Sequence, residues 1–184
     1  MALYNIHFSP TGGTKKAAGC LMRALGGGAV EIDLIRDRDA LARTAFTAED
    51  LCVVAVPSFG GRVPSPAAAL LRGCETVVLE SNHDPHMLQA GPYPYALKQR
   101  VAGPNGHLSN PDCAVFAAFL ADNGTRKLVL AHLSEKNNMP ALALQQTKNA
   151  LRGREGCTVC VAPRDCMESP VVFGEEGAAC LVSG

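Results

Sequence analysis

"HFSPTGGTKKAAG", residues 7–19, leaves an apolar strand, crosses small and hydroxylated residues, and enters a helix. A turn rich in Gly, Ser and Thr frees backbone N–H groups at the helix N-terminus, where the helix dipole also favours negative charge, so a phosphate is the first candidate ligand. Thr11, Gly12, Gly13 and Thr14 can present successive N–H groups, and Ser9, Thr11 and Thr14 add hydroxyls. The loop holds no lysine, unlike the phosphate loop of nucleotide hydrolases, and Lys15 and Lys16 are expected to reach solvent. The plainer alternative is an ordinary strand-to-helix turn with a threonine cap.

Outward from this turn the chain alternates strands and helices. Strands are expected at "LYNIHF", "AVEIDL", "LCVVAV", "TVVLES", "KLVLAHL" and "TVCVAP". Helices are expected after "SPTGG" and through "SPAAALLR", "DCAVFAAFLADNG" and "PALALQQTKNALRG". Strands dense in Val, Leu and Ile without clean alternation belong to a parallel sheet covered on both faces. The fold class is therefore α/β, with three layers and a doubly wound, mainly parallel sheet. Ser109 or Asn110 is a candidate N-cap before Pro111, with Asn123-Gly124 as the stop, and Asn138 and Gly153 bracket the last helix. "GPYPYALKQRVAGPNG", residues 91–106, reads as a long connection dense in Pro and Gly.

With 184 residues, 47% apolar and 18% charged, the chain can bury a substantial globular core. Lys plus Arg equals Asp plus Glu at 17 each, so no bulk field draws it to nucleic acid or an anionic membrane, and partners must follow from sites. "MALYNIHF" has no signal-peptide pattern and no apolar run reaches membrane-span length, so a cytoplasmic protein without a membrane partner is expected. Its eight cysteines are then expected as reduced thiols, mostly packed in apolar segments such as "LCVVAV" and "DCAVFAAFL". Cys157 and Cys160 of "CTVC" fall on opposite faces of an expected strand, which favours packing over chelation.

"HFSPTGGTKKAAG", then "EIDL" and "AVPSFGGRVPSPAAALL", resemble a flavodoxin, in particular the flavodoxin-type domain fused to a ferredoxin in anaerobic bacteria. The resemblance covers residues 1–73. It implies a flavin mononucleotide (FMN) phosphate at Ser9, Thr11, Gly12, Gly13 and Thr14, and the flavin ring against Pro57, Ser58, Phe59, Gly60 and Gly61. The second loop has a physical rationale of its own, because glycine amides can approach a flat ring edge and Phe59 offers an aromatic face. Phe59 as core and Gly60-Gly61 as a simple turn is the alternative.

From residue 74 the resemblance changes. "LESNHD", "GPYPYALKQR", "GHLSN" and "LAHLS" resemble the C-terminal half of a metallo-β-lactamase-fold hydrolase of the ribonuclease Z-like branch, with the likeness running to residue 173. That resemblance implies a zinc ligand at His132 and a second-sphere or substrate-phosphate role, hence a catalytic one, for His107. The family's H-x-H-x-D-H cluster is absent from the sequence, and one ligand does not build a catalytic zinc site. His83, Asp84 and His86 could be imagined as a substitute cluster, but Asp84 as the cap of a helix starting at Pro85 explains them better. His7 is expected as a packed or edge histidine.

The segments 1–73 and 74–184 either pack as one continuous α/β domain, "VVLES" arriving where a fourth strand is due, or form a chimera of two half-cores. The leading expectation is an FMN-binding, flavodoxin-like electron-transfer protein whose redox partner is a separate molecule, since no ferredoxin-type C-x-x-C-x-x-C run is present. The alternative is an incomplete metallo-hydrolase with a phosphodiester or nucleic-acid substrate, and zinc as its metal. An inert α/β scaffold is the third.

Overall fold

A computed structural model of the chain describes residues 1–47, 49–57, 63 and 65–163. It divides into two compact units, the first holding Met1–Pro57 with Ser65–Leu70 and the second running on from Leu71. Both are parallel α/β structures, so the expected fold class holds.

In the first unit, β1 (Leu3–His7) lies between β2 (Val30–Asp33) and β3 (Leu51–Ala55), and all pairings are parallel. Parallel neighbours need crossovers, which α1 (Gly13–Ala24) and the short α2 (Ala40–Arg43) supply. Ile6, Ile32 and Leu34 form the buried cluster, packed by Tyr4, Phe8, Val54 and Leu70. Gly12 caps α1 at φ 82°, a left-handed conformation that costs a side-chain-bearing residue energy but not glycine. The last element of this unit is α3 (Ser65–Leu70).

In the second unit, β5 (Lys127–Ala131) is the middle strand between β4 (Thr76–Glu80) and β6 (Thr158–Val161), again all parallel. Leu128 and Leu130 are fully buried and Val129, on the opposite face, nearly so, which is why "KLVLA" is apolar without alternation. At the sheet edge Val78 of β4 is 67% exposed. The helices are α4 (Pro85–Ala90), α5 (Tyr95–Ala102), α6 (Asn110–Asp122) and α7 (Pro140–Ala150). On α6, Cys113, Ala114, Ala117 and Leu120 are buried at the three-to-four-residue spacing of one helix face. Helix α7, with Ala143 and Thr147 buried, packs against α6, small residues on both letting the two backbones come close.

All six expected strands are present, and they hydrogen-bond in two sheets of three. One sheet continuous across Gly73 stays an expectation of the sequence. The segment read as a long Pro- and Gly-rich connection holds a helix, α5, entered from Pro94. Pro94 sits at the N-cap, a position that needs no amide hydrogen, and so starts the helix instead of breaking it. Ser109 and Asp84 cap as expected, Ser109 accepting from the Asp112 amide and Asp84 from those of His86 and Met87 at 2.9 and 3.0 Å, whereas the N-cap of α7 is Met139, with Asn138 one residue earlier. No helix among the described residues is long and apolar enough to cross a membrane.

Candidate functional site

Parallel strands place their carboxyl ends on one edge, and in α/β sheets that edge is where loops carry chemistry. Glu80 is the last residue of β4, and His132 follows β5 directly. The third member, His107, arrives from the turn after α5. There the His107 amide donates to the Val101 carbonyl at 2.9 Å and the Gly106 amide to Gly103 at 2.9 Å. A Cβ on Gly106 would collide with the carbonyl oxygens of Val101 and Arg100, so only glycine lets the chain turn this tightly before His107.

The three side chains meet through one carboxylate. Glu80 Oε1 takes the Nδ1 of His107 at 2.8 Å and the Nδ1 of His132 at 2.6 Å, while Oε2 accepts the Leu108 amide at 2.9 Å. An ionised carboxylate only accepts, so both rings donate from Nδ1 and the tautomer is fixed. The Nε2 atom of each neutral ring then carries its lone pair outward. The rings stand edge to face with centroids 5.1 Å apart, and their side chains are 42% and 66% exposed against 18% for Glu80. The histidines therefore face solvent over a carboxylate that does not.

Charge follows the same geometry. Burial pushes the Glu80 carboxyl up, but the hydrogen bonds from His132, the Leu108 amide and His107 overcome it and hold the group at about 2. Glu80 is thus an anion throughout the neutral range. The His132 imidazole is raised above its ordinary value by the hydrogen bond to Glu80, against the opposing effect of burial. His83, 3% exposed, goes the other way, lowered first by burial and then by the charge of His107.

A polar network backs the site from behind. The Ser81 hydroxyl donates to Asn110 Oδ1 at 2.7 Å, and the Asn138 amide nitrogen to the Ser81 and Asn82 carbonyls at 2.8 and 3.1 Å. Asn110 is fully buried and Asn138 nearly so, where amides hold the loops apart at fixed spacing without carrying charge. His132 itself has φ 60°, the left-handed region. A non-glycine residue there carries strain of about 1–3 kcal/mol, which persists only where neighbours over-determine it.

Two imidazoles and one carboxylate, with ligand atoms within 4.8 Å of one another, form the group among the described residues that could hold a metal ion. Such a nitrogen and oxygen donor set suits zinc, and a carboxylate behind a histidine is the usual support of a metal-bound imidazole. The residues present therefore fit one zinc. His107 and His132, named from sequence, are brought together here. Glu80 was not named, although a glutamate ending a buried apolar strand, "TVVLE", was the available signal.

Ser9, Thr11, Gly12, Gly13, Thr14 and Pro57 belong to the first unit, while Ser58, Phe59, Gly60 and Gly61 lie outside the described residues. In the first turn the Ser9 hydroxyl accepts the Lys15 amide at 2.9 Å and the Ser9 carbonyl accepts the Gly12 amide at 3.2 Å. Two of the amides at this helix mouth are thus used by the loop itself. His7 is packed as expected, 1% exposed with Nε2 at 2.9 Å from Glu31. Asp84 caps α4, as read from "NHDPH". Cys113 is pushed up to about 11 by burial, and Cys160 is buried as a packing residue. Cys52 of "LCVVAV", expected inside apolar packing, is exposed, as is Cys20.

The carboxyl-end edge of this α/β unit thus carries two histidines on one carboxylate, side chains of the types that hold metal ions. Among curated proteins, the chain is similar to exodeoxyribonuclease YycJ of Bacillus anthracis, 37% identical over 91 residues, which is 50% of this chain and 34% of that protein. It is likewise similar to exodeoxyribonuclease WalJ of Streptococcus pneumoniae strain D39, again 37% identical over 91 residues, 50% of this chain and 34% of the relative. The chain spans about a third of the length of these relatives. No protein-family profile matches it.

The nuclease matches overturn the leading expectation from sequence. They support the metallo-β-lactamase-like hydrolase alternative over half the chain, and a metal in place of FMN; the flavodoxin, flavin and electron-transfer reading falls. The physical reason is that a Gly- and Ser-rich strand-to-helix turn is as serviceable for closing on its own amides as for seating a phosphate, and residues 9–15 do the former in part.

Proposed function

We propose that the second unit carries part of a metal-dependent phosphodiester-hydrolase site whose substrate class is nucleic acid. The supporting observation is the shared carboxylate, Glu80 Oε1 receiving both His107 and His132. His132 holds zinc through Nε2, and Glu80 fixes the tautomer that leaves this atom a ligand. When bound, a zinc ion supplies Lewis acidity toward a phosphoryl oxygen. His107, steadied by the same carboxylate, addresses the substrate phosphate; in its protonated form it donates from Nε2 to a phosphate oxygen. The nuclease relatives support the nucleic-acid class. In this arrangement His132 is the direct ligand, with Glu80 behind it and His107 toward the phosphate, so the further ligands of the metal come from outside these three residues.

The test uses the full chain, zinc chloride and end-labelled single-stranded DNA. Metal analysis after dialysis should find close to one zinc per wild-type chain and none in His132→Ala, while His107→Ala keeps zinc but loses whatever cleavage the wild type shows. A wild-type chain that retains no zinc overturns the proposal.

A further inference from the structure

His132 adopts φ 60°, and its ring reaches Glu80 from there. Beside the bond its carbonyl accepts from the Asn138 amide, three hydrogen bonds converge on Asn82 at this point. Its side-chain amide nitrogen donates to the His132 carbonyl at 2.9 Å, its backbone carbonyl accepts the Ser134 amide at 2.7 Å, and its backbone amide donates to the Leu108 carbonyl at 2.8 Å. One residue thus ties the strand end that bears Glu80 to the loop of His107 and to the loop of His132. Asn82 is 8% exposed, so water does not readily replace these bonds. Two of the three use backbone atoms and survive any substitution. The third belongs to the side chain alone and grips the carbonyl of the strained residue.

We infer that Asn82 is a positioning residue, its side-chain amide locking His132 in the left-handed conformation that sets its imidazole on Glu80 beside His107. A left-handed histidine has extended conformers available at lower energy, and in those the ring leaves β5 in a different direction. The Asn82 amide compensates by satisfying the carbonyl that the left-handed turn orients toward it. The carbonyl calls for an uncharged donor with the reach of the Asn82 amide: aspartate would oppose the carbonyl with an oxygen, and alanine would leave it unpaired. The consequence for metal binding rests on the hydrolase reading; the positioning role does not.

The measurement is the nuclear Overhauser contact between the His107 and His132 rings in the metal-free full-length chain, with zinc uptake recorded in parallel. In the wild type the contact is present, as the 5.1 Å centroid separation requires. In Asn82→Ala and Asn82→Asp it should be lost, and zinc retention with it. A contact that persists in both variants overturns the inference. Thermal midpoints guard against a merely structural effect. Glycine takes φ 60° without strain, so Asn82→Ala should lower the midpoint less in a His132→Gly background than alone. If Asn82→Ala fails to fold, a folded double variant supports the inference and an unfolded one overturns it. An equal drop in both backgrounds also overturns it. Should the ring contact depend on Asn82 while the wild type binds no zinc, the positioning role stands and the hydrolase proposal falls.

Discussion

Glu80 acts as a hub because it is an anion where the chain could have placed a neutral residue. Exchanging it for glutamine keeps the shape but replaces the doubly accepting oxygen with a weaker acceptor or a donor. We expect Glu80→Gln to weaken zinc affinity about 10–100-fold, the usual cost of losing a carboxylate behind a metal-bound histidine, with calorimetric titration as the check. His83 gives a pH signature. Burial lowers its imidazole from 6.5, so folding releases a proton from it; its contribution to stability is present above pH 6.5 and is lost as pH falls from there through its lower folded value. His132 is raised, so its contribution is complete below 6.5 and fades as pH rises through its folded value. Glu80, held at about 2 against an ordinary 4.5, contributes above 4.5 and loses this as pH falls toward 2, a separate window. His83→Gln should therefore flatten the fall in unfolding free energy as pH drops below about 6.5 in urea titrations, and an unchanged slope would show that His83 is not buried neutral.

At the scale of elements, helices α4, α6 and α7 start on legible signals, and the strands of the second unit sit where the apolar runs are. Helix α4 is short and opens on one carboxylate that accepts two amides. Asp84→Ala should cost about 1 kcal/mol, read from the urea midpoint at unchanged slope. Strand β5 is the structural spine. Leu130, fully buried one residue before Ala131 and two before His132, should cost about 2–5 kcal/mol as Leu130→Ala and blur the Glu80–His132 contact with it. Helix α5 shows the opposite case: its eight residues are framed by Pro94 and Gly103, punctuation that in sequence resembles irregular chain. Only its packing tells a helix start from a break.

For the whole molecule, a ligand that binds the folded state alone stabilises it by mass action. Zinc at 100 times its dissociation constant should add about 2.7 kcal/mol to unfolding, and a chelator should reverse this. The increment should vanish in His132→Ala. A thermal scan with and without zinc chloride decides it; an equal increment in the variant would place the ion elsewhere.

The sequence by itself determined the α/β class, the six strands and the principal caps, because apolar runs, Pro at helix starts and Gly at stops act through neighbours a few residues away. It also marked His107 and His132. It could not show that Glu80 lies between them, since that meeting joins residues 27 and 52 positions apart. Nor could it separate a turn that closes on its own amides from one that holds a phosphate. Both questions concern where hydrogen-bond donors point once distant strands are side by side, and only the tertiary structure sets that direction.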